Sequence, residues 1–278
     1  PGRKRVHYTT KRYRIKDSIL VDVLSMFGIR NDWDPEHPAS GVKNFLEGRY
    51  QVYEEYAKDG VDVISEYLRY PWVGRMNLCV NGPVWEGNCP LGGEPAPILA
   101  LIYRNAILYG GWNTNDWARQ IFFNGYTVCW FPSYGQKEKS ADCAQYFYLS
   151  AVPGFKLRRL EMTGYYGEGD TRVVELEEDS RIEVNLKDWS YKAFWMGHEI
   201  TSNGSVYCPL DENRIAFYST EPRHLQSPLP PDWSATGVEA KVLFEDHHEE
   251  WPISIRDGYI HVDADARRPV IVYSPRKG

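Results

Sequence analysis

Short apolar runs that end on acids alternate with amphipathic stretches through the first part of the chain. Ile19-Leu20-Val21-Asp22-Val23-Leu24 and Val61-Asp62-Val63-Ile64-Ser65-Glu66 each read as a buried strand that spends a late position on a carboxylate. Between them, Phe45, Leu46, Tyr50, Val52, Tyr53 and Tyr56 recur near a 3.6-residue period, which predicts a helix over 44–58 that Gly60 ends. Strands are predicted again over 76–80, 98–103 and 125–131, and helices over 116–123 and 139–152. Ile98-Leu99-Ala100-Leu101-Ile102-Tyr103 is apolar without alternation, as in strands buried on both faces of a parallel sheet. Strand, helix, parallel strand is the unit of a (β/α) barrel, and five such strands fall short of the eight that close one. The pattern therefore predicts the C-terminal strands of a partial TIM-type barrel. The N-terminal remainder of that barrel is expected on the same longer chain or on another subunit.

The pattern changes near Pro153-Gly154. From Thr171 the apolar positions alternate in short runs: 171–176, 181–186, 191–195, 205–208, 214–218, 238–244, 259–262 and 269–273. Turn dipeptides such as Asn203-Gly204 and Asp257-Gly258 separate them, which predicts a β-sandwich. The fold class is α/β plus all-β. Residues 1–160 are read as the barrel portion and 161–278 as the sandwich, with 155–166 crossing between them.

In a barrel of this kind the strands' C-terminal rim carries the chemistry. Asp22 and Glu66 stand there on successive strands, and a pair of carboxylates is the minimum equipment for cleaving a glycosidic bond. In a retaining enzyme one attacks the anomeric carbon as the anion, and the other protonates the leaving oxygen. Asp22, short and held by the strand, suits the nucleophile. Glu66, followed by the aromatic stretch Tyr67 to Trp72, suits the acid/base. The bland alternatives are a solvated strand-end acid for Asp22 and an ion pair with Arg69 or Arg75 for Glu66. Asp62 competes but sits early in its strand, toward the far rim. Further candidates for substrate binding are Arg75, Trp72, Tyr103, Trp112, Asn115 and Asp116. Trp112 reads as a stacking platform or as core, and Asp116 as a third acid or a helix N-terminal one. The loop Gly28–Val42, rich in Asp, Pro and His, reads as a solvated rim wall.

Composition adds a little. Ten Trp and twenty Tyr raise the aromatic content to 14%, which suits either sugar stacking or packing. A net charge of −6 argues against nucleic acid as the main partner, and no apolar run has the roughly 18–20 residues of a membrane span. The basic start, Arg3-Lys4-Arg5 and on to Lys16, reads as a solvated loop entering the first strand. The five cysteines are odd in number and scattered, so buried thiols are expected rather than a disulfide framework. No Cys/His spacing suits zinc, and neither a metal nor a cofactor is expected. The seven histidines show no triad context, and Asn203-Gly204-Ser205, formally a glycosylation sequon, reads as a hairpin turn.

The run Leu20-Val21-Asp22-Val23, then a helix, then Tyr56-Ala57-Lys58-Asp59-Gly60-Val61-Asp62-Val63-Ile64-Ser65-Glu66, resembles the catalytic core of endo-α-N-acetylgalactosaminidase-like glycoside hydrolases. The resemblance covers residues 15–155 in pattern and the rest in architecture. It implies a retaining enzyme acting on α-linked N-acetylgalactosamine of mucin-type glycans. By that likeness Asp22 is the nucleophile ending the fourth strand and Glu66 the acid/base on the fifth, with a β-sandwich behind the barrel. Substrates of that kind would place the protein outside the cell or at its surface. The insert Gly28–Val42 departs from the family's pattern and leaves the sugar open, all the more because α-amylase-like enzymes use the same two positions. A non-catalytic carbohydrate-binding protein, built on the aromatics and the sandwich, and an incomplete fragment of a glycosidase are the competing readings.

Overall fold

In the computed structural model, which describes residues 2–22, 24–25, 41–79, 96–109, 144–145 and 147–274, the basic start is a helix rather than a loop. This helix, α1 (Gly2–Tyr13), turns Val6 and Thr10 inward and leaves most of its Lys and Arg side chains in water. The charges that suggested a solvated loop are one face of an amphipathic helix.

Strand β1 (Ser18–Leu20) leads to helix α2 (Val42–Lys58), which buries Tyr53 and Tyr56. Gly60 ends α2 in the left-handed conformation, φ 72°. Its N–H bonds the Ala57 carbonyl and the Val61 N–H bonds the Tyr56 carbonyl, a Schellman closure. One residue later the chain enters β2 (Asp62–Ser65). Strands β3 (Leu78–Cys79) and β4 (Leu108–Tyr109) complete a four-stranded sheet in the order β1-β2-β3-β4, every pair parallel. Its core gathers Tyr53, Tyr56, Val63, Trp72, Met76, Cys79 and Tyr109.

The apolar run Ile98–Tyr103, expected as a strand, is helix α3, and the strand follows at 108–109. A short continuous apolar run does not distinguish buried strand from helix, and Leu and Ala favour the helix. Ile98 and Ile102 lie on an exposed side of it, 58% and 63% accessible. The strand expected over 125–131 and the helix over 116–123 fall outside the described residues.

The chain divides into two compact units, and described residues 144–274 belong to the second. A π-helical turn (Phe147–Ala151) runs into α4 (Val152–Leu157). The helix expected to pack on a barrel instead contributes Tyr148, Leu149, Val152 and Leu157 to the core of the β unit. Strands follow as β5 (Met162–Glu168), β6 (Thr171–Leu176), β7 (Ser180–Asn185), β8 (Tyr191–Trp195), β9 (His198–Ser202), β10 (Ser205–Asp211) and β11 (Arg214–Ser219). After them come β12 (Arg223–Pro228), β13 (Glu239–Leu243), β14 (His248–Glu250), β15 (Ile253–Arg256), β16 (Tyr259–Ala264) and β17 (Val270–Tyr273). Ten form an antiparallel sheet in the order β14-β13-β17-β11-β10-β9-β8-β7-β6-β5, and three form a second sheet, β12-β16-β15.

Strand β11 shows how the layers assemble. Ile215 and Phe217 pack with Leu225, Ile260 and Val262 of the small sheet, while Ala216 and Tyr218 face the helical layer. Each buried Ile, Leu, Val or Phe among them is worth about 1.5–3 kcal/mol of transfer from water. The expected turns appear at Asn203-Gly204 (φ 41° and 79°) and Asp257-Gly258 (φ 52° and 77°), both left-handed at two successive residues as type I′ hairpins require. At the first, the Asn203 side-chain oxygen accepts the Tyr191 N–H at 2.8 Å.

Candidate functional site

Parallel pairing in the first unit runs Ser18↔Asp62, Ile19↔Val63, Leu20↔Ile64. Asp22 and Glu66 therefore stand each two residues beyond the last pair of the same ladder, at the C-terminal edge of neighbouring strands. Adjacent strands lie about 4.8 Å apart. Pairing persists one step further, because the Val21 N–H donates to the Ile64 carbonyl at 2.8 Å. Asp22 follows in a turn and is exposed, and Glu66 is half-buried.

A buried polar network fixes these two backbone positions. The Ser65 hydroxyl donates to the Val21 carbonyl at 2.8 Å and accepts the Ser25 N–H at 3.2 Å. The Ser25 hydroxyl donates to the Glu66 carbonyl, and the Ser25 carbonyl accepts the Trp72 indole N–H at 3.0 Å. The Arg49 guanidinium, from α2, donates to the Leu24 carbonyl and lies over the Phe45 ring. Both loops are thus tied to each other and to the helix between the strands. Tyr53 lies beneath, and burial pushes its pKa up, opposed by the Arg49 charge and the Ser25 and Ser65 hydroxyls. Tyr67, directly after Glu66, holds φ 57°. For a bulky residue this left-handed geometry costs about 1–3 kcal/mol, and such strain concentrates at functional sites.

The other predicted positions fall differently. Trp72 is 1% exposed and packs on Tyr50 and Tyr53, so it is core and has no face left for a sugar. Arg75 donates to Glu54 at 3.0 Å and lies over the Tyr50 ring, both on α2. Tyr103 ends α3 rather than a strand and is half-buried. Trp112, Asn115 and Asp116 lie outside the described residues. Asp62 opens β2 and accepts the Asn77 side-chain amide at 2.9 Å, at the far edge from Glu66. Ser25, Ser65 and Arg49 went unremarked in the sequence. The one available signal was Ser65, a lone hydroxyl inside an apolar strand.

Histidines without sequence context do acquire partners. His7 joins Glu55 and Asp59 across α1 and α2, and His224 joins Asp263 and stacks on His261 in the small sheet. Cys79 and Cys208 are both buried, and burial pushes the Cys208 thiol up to about 12. Among the described residues no group of three His, Cys, Asp or Glu is placed to hold a metal ion, and no helix is long and apolar enough to cross a membrane.

No family model matches the chain, and no curated protein matches its sequence. Among solved structures it is similar to α-N-acetylgalactosaminidase NagBb from Bifidobacterium bifidum. A quadruple mutant of that protein superposes with a TM-score of 0.50 at 13% identity, over 69% of this chain and 34% of that one. Its GalNAc complex gives a TM-score of 0.50 at 13% identity, over 70% and 35%. A GH30 endoxylanase from Clostridium papyrosolvens superposes at 0.39, with 10% identity over 99% of this chain and 71% of that one. The chain thus spans about a third of the length of the α-N-acetylgalactosaminidase. The property shared with that protein is its fold, a distant glycosidase-like one.

Proposed function

We propose that this chain carries the acid pair of a retaining glycoside hydrolase acting on α-glycosidic bonds, with α-N-acetylgalactosaminyl or α-galactosyl groups as substrate. The observation that supports it is the register: Asp22 and Glu66 each lie two residues past the last pair of one parallel ladder. Neighbouring parallel strands lie about 4.8 Å apart, close to the roughly 5–5.5 Å that a retaining mechanism needs between its carboxyls. The fold shared with an α-N-acetylgalactosaminidase agrees with this reading.

Asp22, exposed at the edge, attacks the anomeric carbon and forms a glycosyl ester as the C–O bond to the leaving group breaks. Glu66, half-buried, gives its proton to the leaving oxygen. It then takes a proton from water, which attacks the same carbon and releases Asp22 as the carboxylate. The Ser25–Ser65–Trp72 network keeps the two loops in one geometry through both steps.

The test is hydrolysis of aryl α-N-acetylgalactosaminide and aryl α-galactoside by this chain and by any longer protein that contains it. Asp22→Asn takes turnover to background, and Glu66→Gln lowers it by about 10²–10⁴-fold. Full activity in Asp22→Asn overturns the assignment. Glycan binding without hydrolysis, indifferent to both substitutions, supports a carbohydrate-binding protein instead.

A further inference from the structure

The β unit holds a cavity of about 690 Å³ where the edge strand β12 faces β9 and β10. That volume suits a small ligand held by a few convergent polar groups. Arg223 enters it with half its fork already committed: Nη1 donates to the Ser205 hydroxyl at 3.0 Å and to the Asn203 carbonyl at 3.4 Å. Ser205 is 1% exposed and is held in turn by the Ser219 hydroxyl at 3.1 Å. A buried pair of hydroxyls thus aims the guanidinium, whose Nε and Nη2 have no partner among the described residues. The acid of the cavity, Glu199, is occupied, since it accepts the Tyr207 hydroxyl and pairs with Lys192 at 3.2 Å. Gln226 offers an exposed amide, and Tyr259, 39% exposed, offers a ring. A free guanidinium edge matches a carboxylate in bidentate fashion. A Tyr ring adds an apolar face with a polar tip, which suits the C–H face and hydroxyls of a sugar ring.

We propose that this cavity binds a uronic-acid-containing glycan, with Arg223 on the carboxylate, Gln226 on a hydroxyl, and Tyr259, five residues further along the ladder, against the next ring. All the residues belong to the β unit, and the site stands apart from the reading of Asp22 and Glu66.

The experiment is a calorimetric titration with methyl β-D-glucuronide and methyl β-D-glucoside, which differ only at C6. It uses the full chain carrying Asp22→Asn, so that hydrolysis plays no part. The glucuronide binds at least tenfold more tightly than the glucoside. Arg223→Gln removes that preference, and Arg223→Lys fails to restore it because an ammonium lacks the fork. Gln226→Ala, at an exposed position, weakens the glucuronide several-fold with no change in melting temperature. Equal binding of the two glycosides, no binding of the glucuronide, an undiminished preference in folded Arg223→Gln protein, or undiminished glucuronide affinity in Gln226→Ala overturns the proposal.

Discussion

Ser65 uses one buried hydroxyl to hold two chain segments, donating to Val21 and accepting from Ser25. Its replacement by Ala leaves a carbonyl and an N–H without that partner. Chemical denaturation of Ser65→Ala should show a loss of about 1–3 kcal/mol, the cost of buried polar groups left unpaired. A loss within experimental error of zero would mean that the network is ornamental. At this scale the acids were legible and their supports were not. Asp22 and Glu66 stand out because carboxylates end apolar runs. Ser25 and Ser65 become partners only across 40 residues of chain, which no local pattern reports. Trp72 was misjudged for the same reason. An aromatic after a strand end reads as a substrate-binding side chain until the ring is seen against Tyr50 and Tyr53, with its N–H on Ser25.

Helix α1 is joined to α2 by a cluster with a definite pH sense. Asp59 first and Glu55 next raise the pKa of His7 above its ordinary 6.5. Lys58 first and His7 next lower Glu55, and Thr10 first and His7 next lower Asp59. The histidine's contribution is complete below pH 6.5 and fades as pH rises through its raised value. The carboxylates' contribution is complete above their ordinary 4.5 and 3.8 and fades on acidification. Attachment of α1 is therefore strongest between about pH 4.5 and 6.5. Hydrogen exchange corrected for intrinsic rates should show α1 amides better protected at pH 5.5 than at pH 8.5, a difference that His7→Ala removes. Equal protection at both values would contradict the assignment. Elements were readable where two signals agreed. Helix α2 had its period and Gly60, and strands β6 and β8 had alternation between turns. Ile98–Tyr103 had a single signal, apolarity, which suits strand and helix alike, and the basic run of α1 hid its inward Val6 and Thr10.

For the whole molecule, a parallel sheet and an antiparallel β unit were both visible in the change of pattern near Pro153. Of the three-stranded sheet only the middle strand was, as the run 259–262. Strand β12 opens on Arg223-His224 and closes on Pro228, and its inward positions are only Leu225 and Ser227. That strand forms a wall of the sandwich cavity, so the cavity stayed hidden with it. In the other unit, the proposed function has one sheet edge present two carboxylates, from neighbouring strands, as nucleophile and acid/base. Intact-mass spectrometry after incubation with a slow-turnover activated 2-deoxy-2-fluoro α-galactoside, followed by peptide mapping, tests it most directly. One added glycosyl group is expected, on the peptide containing Asp22, and none in Asp22→Asn. A label on a different acid, or an unlabelled protein that still turns the reagent over, would contradict it.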